Sequence, residues 1–346
     1  MHTRHPMPSS YANPEANTVA TPTRQTPSLG LTTKTYDLII VMPVYEDREA
    51  SGQLFRELYA QYGTSVFVVA VDDGSLRQPI SADHLDEIGL PGAVIHLRRN
   101  VGHQRAIAIG LHYVADNFPN APFTVVMDSD GEDTPATIPQ LIAPLASDDV
   151  DAVVAQRKSR METLHFKLFY VVYKLIFRLL TGRKINFGNF VALKPAAVRR
   201  LASMSELWTH LAGCVLLSKL RVHSEPIDRG RRYAGKSKMN FTGLALHGFR
   251  AVMIFAEDVL VRVGIVCSVV AALTIGAGLI ATVFKIIGFA TPGWFSITLG
   301  ILLIVFLQTG ALTLVALMLS GVVRGGAESP QQYRNYIDWV SYTKSL

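Results

Sequence analysis

Residues 123–130 read FTVVMDSD. The first five, Phe123–Met127, form a short apolar run rich in residues that favour strands, and the run stops at Asp128-Ser129-Asp130. Four similar runs lie around it. Tyr36–Met42 (YDLIIVM) stops at Pro43, and Val66–Val71 (VFVVAV) stops at Asp72-Asp73-Gly74-Ser75. Ala93–Leu97 (AVIHL) and Ala152–Ala155 (AVVA) are the other two. Helical patterns at Glu49–Tyr62, Gly102–Asn117 and Ala136–Leu145 fall between them. Continuous apolar strands alternating with helices predict an α/β domain with a mainly parallel sheet covered on both faces. Such sheets bind ligands beyond the carboxyl ends of their strands. Here those ends are Pro43–Asp47, Asp72–Ser75 and Asp128–Asp133, so three acidic clusters fall where a site is expected.

The chain outside this domain is of another kind. Of 346 residues 49% are hydrophobic and only 17% charged, with a net charge of +6. The charge deficit is local, because residues 259–323 hold just two charges, Arg262 and Lys285. Val263–Phe284 and Gly293–Val323 carry none, and each is long enough to cross a bilayer, which takes about 20 apolar residues. The break between them holds Pro292 and Gly293, so the pair predicts a two-helix transmembrane hairpin. Arg250 and Arg262 precede it and Arg324 follows it, which by the positive-inside rule places both ends in the cytoplasm. Residues 1–35, rich in Pro, Ser, Thr and Asn, read as a disordered tail without the apolar core of a signal peptide. The expected divisions are that tail, the α/β domain at 36–228, a basic loop and juxtamembrane helix at 229–258, the hairpin at 259–323 and a cytoplasmic tail at 324–346. Residues 161–181 are apolar with Lys167, Lys174 and Arg178 near one stripe, a pattern that suits a membrane surface or a core helix with one wet edge. Two cysteines, Cys214 and Cys267, exclude a disulfide framework.

Asp128 and Asp130, two residues apart on a turn, can both face a divalent cation, and Glu132 and Asp133 add two more carboxylates. Such a cluster repels itself unless a cation is bound, and hard oxygen donors suit Mg²⁺ or Mn²⁺. Asp72 and Asp73 at a strand end can accept hydrogen bonds from a nucleobase imide or a ribose. Gly74 permits a close backbone approach there.

These motifs, in this order and spacing, resemble family 2 glycosyltransferases of GT-A fold. Pro43-Val44-Tyr45-Glu46-Asp47, Val71-Asp72-Asp73-Gly74-Ser75, Arg99-Asn100-Val101-Gly102 and Asp128-Ser129-Asp130 carry the likeness. Asp130–Pro135 (DGEDTP), Asn186–Leu193 (NFGNFVAL) and Arg232–Lys238 (RYAGKSK) are similar to the polyprenyl-phosphate branch, whose bacterial members end in a transmembrane hairpin. The resemblance implies that Pro43, Tyr45, Asp47, Asp72 and Asp73 bind the nucleoside of a sugar nucleotide. It implies that Asp128, Asp130 and Glu132 hold Mg²⁺ or Mn²⁺ on the diphosphate, and that Arg157 and Arg160 meet a polyprenyl phosphate. Arg232, Ser237 and Lys238 are implied as a loop over the phosphates. Two departures stand out. The first motif ends Glu46-Asp47 where the family has Asn-Glu, and Phe190-Val191-Ala192-Leu193 lacks the family's Arg.

The resulting expectation is an inverting transferase at the inner (plasma) membrane. It would take a nucleotide sugar, UDP-linked first of all, and a polyprenyl phosphate, with a homo-oligomer allowed. From Lys219 to Arg250 eight basic residues face only Glu225 and Asp228, which suits anionic substrates and headgroups. Nothing resembles a nucleic-acid motif. The rivals are a processive polysaccharide synthase, against which Gln331–Arg334 (QQYR) is followed by Asn335 and not Trp, and a non-catalytic membrane scaffold.

Overall fold

The computed structural model describes residues 36–157, 174–183, 186–234, 248, 250–289, 291–325 and 330–344. One eight-stranded sheet organises the catalytic domain, in the order β7-β5-β6-β4-β1-β2-β3-β8. The strands are β1 (Leu38–Val44), β2 (Val66–Asp72), β3 (Gly92–Leu97), β4 (Phe123–Val126), β5 (Ala152–Arg157), β6 (Phe187–Leu193), β7 (Val222–Ile227) and β8 (Ile337–Tyr342). β1 to β4 run parallel. β6 runs antiparallel between β4 and β5, and β7 is parallel to β5. Pro43 lies inside β1, not after it. Val41 accepts from Met127 on the β4 side and Val44 accepts from Asp73 on the β2 side. By alternation Pro43 faces the β4 side, where the ladder has already ended, so its missing N–H costs no bond.

Helices α1 (Arg48–Tyr62), α2 (Ala82–Asp86), α3 (His103–Asn117), α4 (Ile138–Ile142), α5 (Pro195–Ala202) and α6 (Leu211–Leu217) complete the domain. The pattern at Ala136–Leu145 condenses into the short α4 flanked by 3₁₀ turns, with Pro139 and Pro144 interrupting the helix. Two apolar cores form, one on each face of the sheet. Ile39, Val41, Phe67 and Val69 pack under α3 on one face, and Ile40, Met42, Val68 and Leu54 of α1 on the other.

Two long helices, α7 (Ala256–Ile286) and α8 (Trp294–Gly325), pack side by side with apolar surfaces turned outward. At about 1.5 Å per residue each exceeds the roughly 30 Å of a hydrocarbon core. Gly288 and Gly293 take positive φ at their turn, and Lys285 Nζ lies 4.4 Å over the Phe295 ring. Beside the hairpin entrance, a helical stretch at 174–181 buries Phe177 edge-on against Phe255 and exposes Leu175, Ile176 and Leu179. Only its last turns of the expected basic helix fall within the described residues.

The segment expected as a tail does not hang free. Residues 330–344 return to the catalytic domain, and β8 adds antiparallel to β3 at the sheet edge. Tyr333 is buried against His112 of α3, and both its hydroxyl and Arg334 bond Asp116. The QQYR stretch is therefore spent on docking.

Candidate active site

Strand order reverses between β1 and β4, because β1 leads outward to β2 and β3 while β4 lies on its other side. A crevice opens at such a switch point. Tyr45 and Asp47 follow β1, Asp72 and Asp73 end β2, and Asp128 to Asp133 follow β4. The acidic strand ends thus meet at one edge of the sheet. Tyr45 is exposed there, Pro43 is buried, and Asp47 is the residue before α1, with its carbonyl accepting from Ser51.

Asp72 and Asp73 are adjacent yet differently engaged. Asp72 is buried and accepts from Ser75 N at 3.0 Å through Oδ1. Burial raises its carboxyl above the ordinary range against that hydrogen bond. Asp73 spends both oxygens on backbone, accepting from Val101 N (2.7 Å) and Gly102 N (2.9 Å). Burial lifts it to about 6 despite these bonds. It braces the turn that enters α3. Gly74, at φ +70°, lets the β2 loop touch the β3 loop, since a Cβ there would stand 2.6 Å from Arg99 C and Asn100 N.

Glu46 is a structural residue that sequence reasoning passed over as a departure. At φ +48° it turns its carboxylate onto Leu76 N (2.8 Å), Arg77 N (3.1 Å) and Gln78 N (2.8 Å). These backbone donors, Leu76 foremost, hold its pKa below the usual range. Glu46 N also donates to Ser75 Oγ at 2.8 Å. The loops after β1 and β2 are locked together by this residue.

Across the crevice, Asp128 N donates to Asp133 Oδ2 at 3.0 Å and Glu132 N to Asp130 Oδ1 at 3.0 Å, which folds the acidic turn on itself. His103, at the start of α3, places Nε2 3.2 Å from Asp128 Oδ1 and 2.9 Å from Asn189 Nδ2. Burial would depress this imidazole, but Asp128, then Asp73 and Asp130, outweigh it and raise its pKa. Gln104 continues the chain, donating to Asn189 Oδ1 (3.0 Å) and accepting from Leu211 N (2.7 Å). The motifs Gly102–Gln104 and Asn186–Phe190 thus meet beside Asp128.

The basic loop lies over the acidic turn. Arg232 bonds Asp130 and approaches Glu132 at 3.7 Å, and Arg229 pairs with Glu132. Gly230 N and Tyr233 N donate to the Glu132 and Asp130 carbonyls, and the Tyr233 hydroxyl reaches Glu57. Gly131 takes φ +84° against the Tyr233 ring, where a side chain would collide. Burial first and Asp128 second hold Asp130 above the carboxylate range, against the pull of Arg232 and Arg229. A pocket between this turn and the ends of β5, β6 and β7 is lined by Asp128, Asn189, Phe190, Asp228 and Arg229.

These residues suit a hard cation. The four carboxylates are oxygen donors of the right kind, and in this closed arrangement two guanidinium groups supply the positive charge they need. Among the described residues no three His, Cys, Asp or Glu side chains already converge as a ligand set, and arginines pair with Asp130 and Glu132. Arg160, Ser237 and Lys238 lie outside the described residues. So does the Arg157 side chain, whose backbone ends β5. Val191, standing where the family has Arg, is buried and pairs with Val126 and Val154.

A mainly parallel sheet with one antiparallel strand beside β4, and acidic strand ends gathered at the switch point, defines a GT-A glycosyltransferase. Residues 39–208 match the model of glycosyl transferase family 2. It is 24% identical over 279 residues to the uncharacterized glycosyltransferase YkoT of Bacillus subtilis, covering 76% of this chain and 81% of that one. It is also 24% identical over 213 residues to dodecaprenyl-phosphate galacturonate synthase of Rhizobium johnstonii, covering 58% of this chain and 61% of that one. Among solved structures, glucosyl-3-phosphoglycerate synthase of Mycobacterium tuberculosis with Mn²⁺, UDP and glucosyl-3-phosphoglycerate gives a TM-score of 0.49. That match is 13% identical and covers 65% of this chain and 80% of that one.

Proposed function

We propose that this glycosyltransferase moves a sugar from a nucleoside diphosphate, UDP first of all, to a polyprenyl phosphate at a membrane surface, with inversion at the anomeric carbon. The observation that carries the reading is the acidic turn 128–133 facing Arg229 and Arg232 at the switch point, in a domain that continues into a hairpin of membrane length. The relative from Rhizobium johnstonii, named as a dodecaprenyl-phosphate galacturonate synthase, supports the acceptor class.

Asp72 would accept from the nucleobase, with Tyr45 and Asp47 lining the nucleoside. Asp128, Asp130 and Glu132 would hold Mg²⁺ or Mn²⁺, which when bound screens the diphosphate and stabilises it as a leaving group. Arg229 and Arg232 would pass from the carboxylates to the phosphates and meet the charge that develops as the sugar departs. Arg157, Arg160, Ser237 and Lys238 would add cations and a hydroxyl around the two phosphates. A phosphate acceptor needs no base, being ionised at neutral pH, whereas a hydroxyl acceptor usually does. The region 204–214 offers Glu206 and His210, and His210 is buried with its Nδ1 accepting from Gly213 N as the cap of α6. The exposed Leu175, Ile176 and Leu179 beside the hairpin entrance would seat the domain at headgroup level. The hairpin, with catalytic domain and both termini on the cytoplasmic side of the inner membrane, would present the site to a lipid-linked acceptor.

The test uses purified full-length protein in lipid nanodiscs, a panel of nucleotide sugars, and polyprenyl phosphate or the matching polyprenol as acceptor. The phosphate should be glycosylated and the alcohol should not. Asp128→Ala or Asp130→Ala should abolish turnover with folding retained, EDTA should stop the reaction, and Glu206→Gln should stay within about tenfold, under about 1.4 kcal/mol in the barrier. Efficient transfer to the alcohol, or full activity in excess EDTA, would refute the proposal.

A further inference from the structure

The strand that follows the hairpin reaches the nucleoside side of the crevice. β8 pairs with β3 so that Trp339 lies opposite His96, and His96 lies beside Asp72 in the register of β3 with β2. Asp72, His96 and Trp339 therefore form a row across three strands. The register slips between His96 and Leu97, whose partners are Trp339 and Ile337, so Asp338 is the extra residue of a bulge. A bulge re-aims the neighbouring side chain. Here the Trp339 indole lies flat on the His96 ring, with centroids 3.6 Å apart and planes at 9°.

His96 is itself anchored at Nε2. Ala82 N donates to Ser341 Oγ at 3.3 Å, and the serine proton is then available to His96 Nε2 at 3.1 Å. That network assigns the imidazole proton to Nδ1, which faces Asp72 Oδ2 at 3.9 Å. The distance is that of a charge–dipole contact and not a hydrogen bond. Burial holds His96 at about 4, with Asp338 pulling the other way, so the ring is neutral at neutral pH. A neutral ring directs a dipole at Asp72 without cancelling its charge. The Oδ1 of Asp72 is fixed by Ser75 N, so the carboxylate is hydrogen-bonded from the loop on one side and faces the His96 ring on the other.

We propose that His96 is a positioning residue for the donor site, and that Trp339 and Ser341, brought back from the membrane hairpin on β8, set its orientation and through it that of Asp72. Nucleotide binding then depends on the post-membrane strand. The proposal rests on the assignment of Asp72 to the nucleoside. A strand that merely covers the edge of β3 would also be expected at this place, so the test separates the two roles.

Full-length protein in nanodiscs is titrated calorimetrically with UDP, GDP, CDP and ADP in the presence of Mg²⁺. For the diphosphate bound most tightly by the wild type, His96→Ala, Trp339→Ala and Ser341→Ala should weaken Kd about tenfold and raise donor KM in parallel, with kcat at saturating donor within about twofold. Trp339→Phe, which keeps an aromatic ring on His96, should regain most of the affinity. Tyr342→Phe serves as the structural control, because it removes the hydroxyl pair with Tyr113 (3.0 Å) on the same strand without touching His96. It should lower the unfolding temperature and leave Kd unchanged. An unaltered Kd in Trp339→Ala, or an equal loss of affinity in Tyr342→Phe, overturns the positioning role while the nucleoside assignment stands. Failure of the wild type to bind any of the four diphosphates sinks that assignment and the inference with it.

Discussion

Single residues account for much of the shape of this site, and two of them were opaque in the sequence. Glu46 reads as a mismatch to its family's motif, yet its carboxylate gathers three backbone N–H groups thirty residues away. No local pattern announces that, because the donors belong to a loop with no helical or strand period. His112 is equally silent, being one polar residue in the middle of a helical pattern. In the fold it lies between Trp208 (5.2 Å) and Tyr333 (5.4 Å), and burial lowers it to about 4. Its ordinary value is about 6.5, so between pH 6.5 and 4 the unfolded chain takes up a proton that the folded chain refuses. The stability present above pH 6.5 is therefore lost as pH falls towards 4, and His96 acts in the same direction. His112→Phe keeps a ring between the two aromatics and removes the proton. Unfolding midpoints measured from pH 7 to 4.5 should fall less steeply in this variant than in the wild type. An unchanged slope would mean that His112 is not a source of the acid sensitivity.

At the scale of elements, the five strands with continuous apolar runs were legible because burial on both faces leaves a plain signature. β6 and β7 were not. Phe187–Leu193 carries Gly188 and Asn189 in its first half, and Val222–Ile227 is polar and carries Pro226, which only a sheet margin tolerates. The three acidic strand ends were legible for the same reason as their strands. What the sequence concealed is that the basic loop lies on the acidic turn, since attraction between segments 100 residues apart leaves no periodicity. The arginines here stand where a cation is proposed to bind, so loop and metal compete for Asp130 and Glu132. Arg232→Ala should consequently bind Mn²⁺ more tightly than the wild type in the absence of nucleotide, as read by calorimetry. Its turnover should nonetheless fall by about a hundredfold or more, the usual effect of removing one donor to developing charge. A variant with weaker Mn²⁺ binding and a matching loss of unfolding temperature would show Arg232 to be structural. Gly131→Ala probes the same contact from below. It forces a side chain onto the Tyr233 ring at a backbone angle that disfavours any, and should release the loop to protease at Arg229 and Arg231.

For the molecule as a whole, the sequence disclosed the hairpin but not its consequence. Ile337–Tyr342 (IDWVSY) is short and carries a charge at its second position, and its partner β3 lies some 240 residues earlier, so nothing local marks it as a strand. Its place in the sheet fixes the path of the chain. β7 leaves the catalytic domain towards α7, and β8 returns from α8 to the same sheet. If α7 and α8 both cross the bilayer, the crossings are even in number and the two ends of the hairpin share one side with the catalytic domain. Tyr333 and Arg334 reinforce this by tying the returning segment to Asp116 of α3. The proposed cytoplasmic side rests on charge. Arg262 stands near the start of α7 and Arg324 near the end of α8, while Lys285 is the single cation at their turn, and loops richer in Lys and Arg stay cytoplasmic. Reporter tags at the two termini should therefore both resist protease in sealed cells and both be cleaved after permeabilisation. A cysteine introduced at Thr291, in the turn between the helices, should react with an impermeant maleimide from outside. Opposite accessibility of the two tags would be incompatible with β8 in the sheet. Shared accessibility from outside would keep the fold and reverse the membrane, which would remove the site from a cytoplasmic supply of sugar nucleotide and with it the proposed donor.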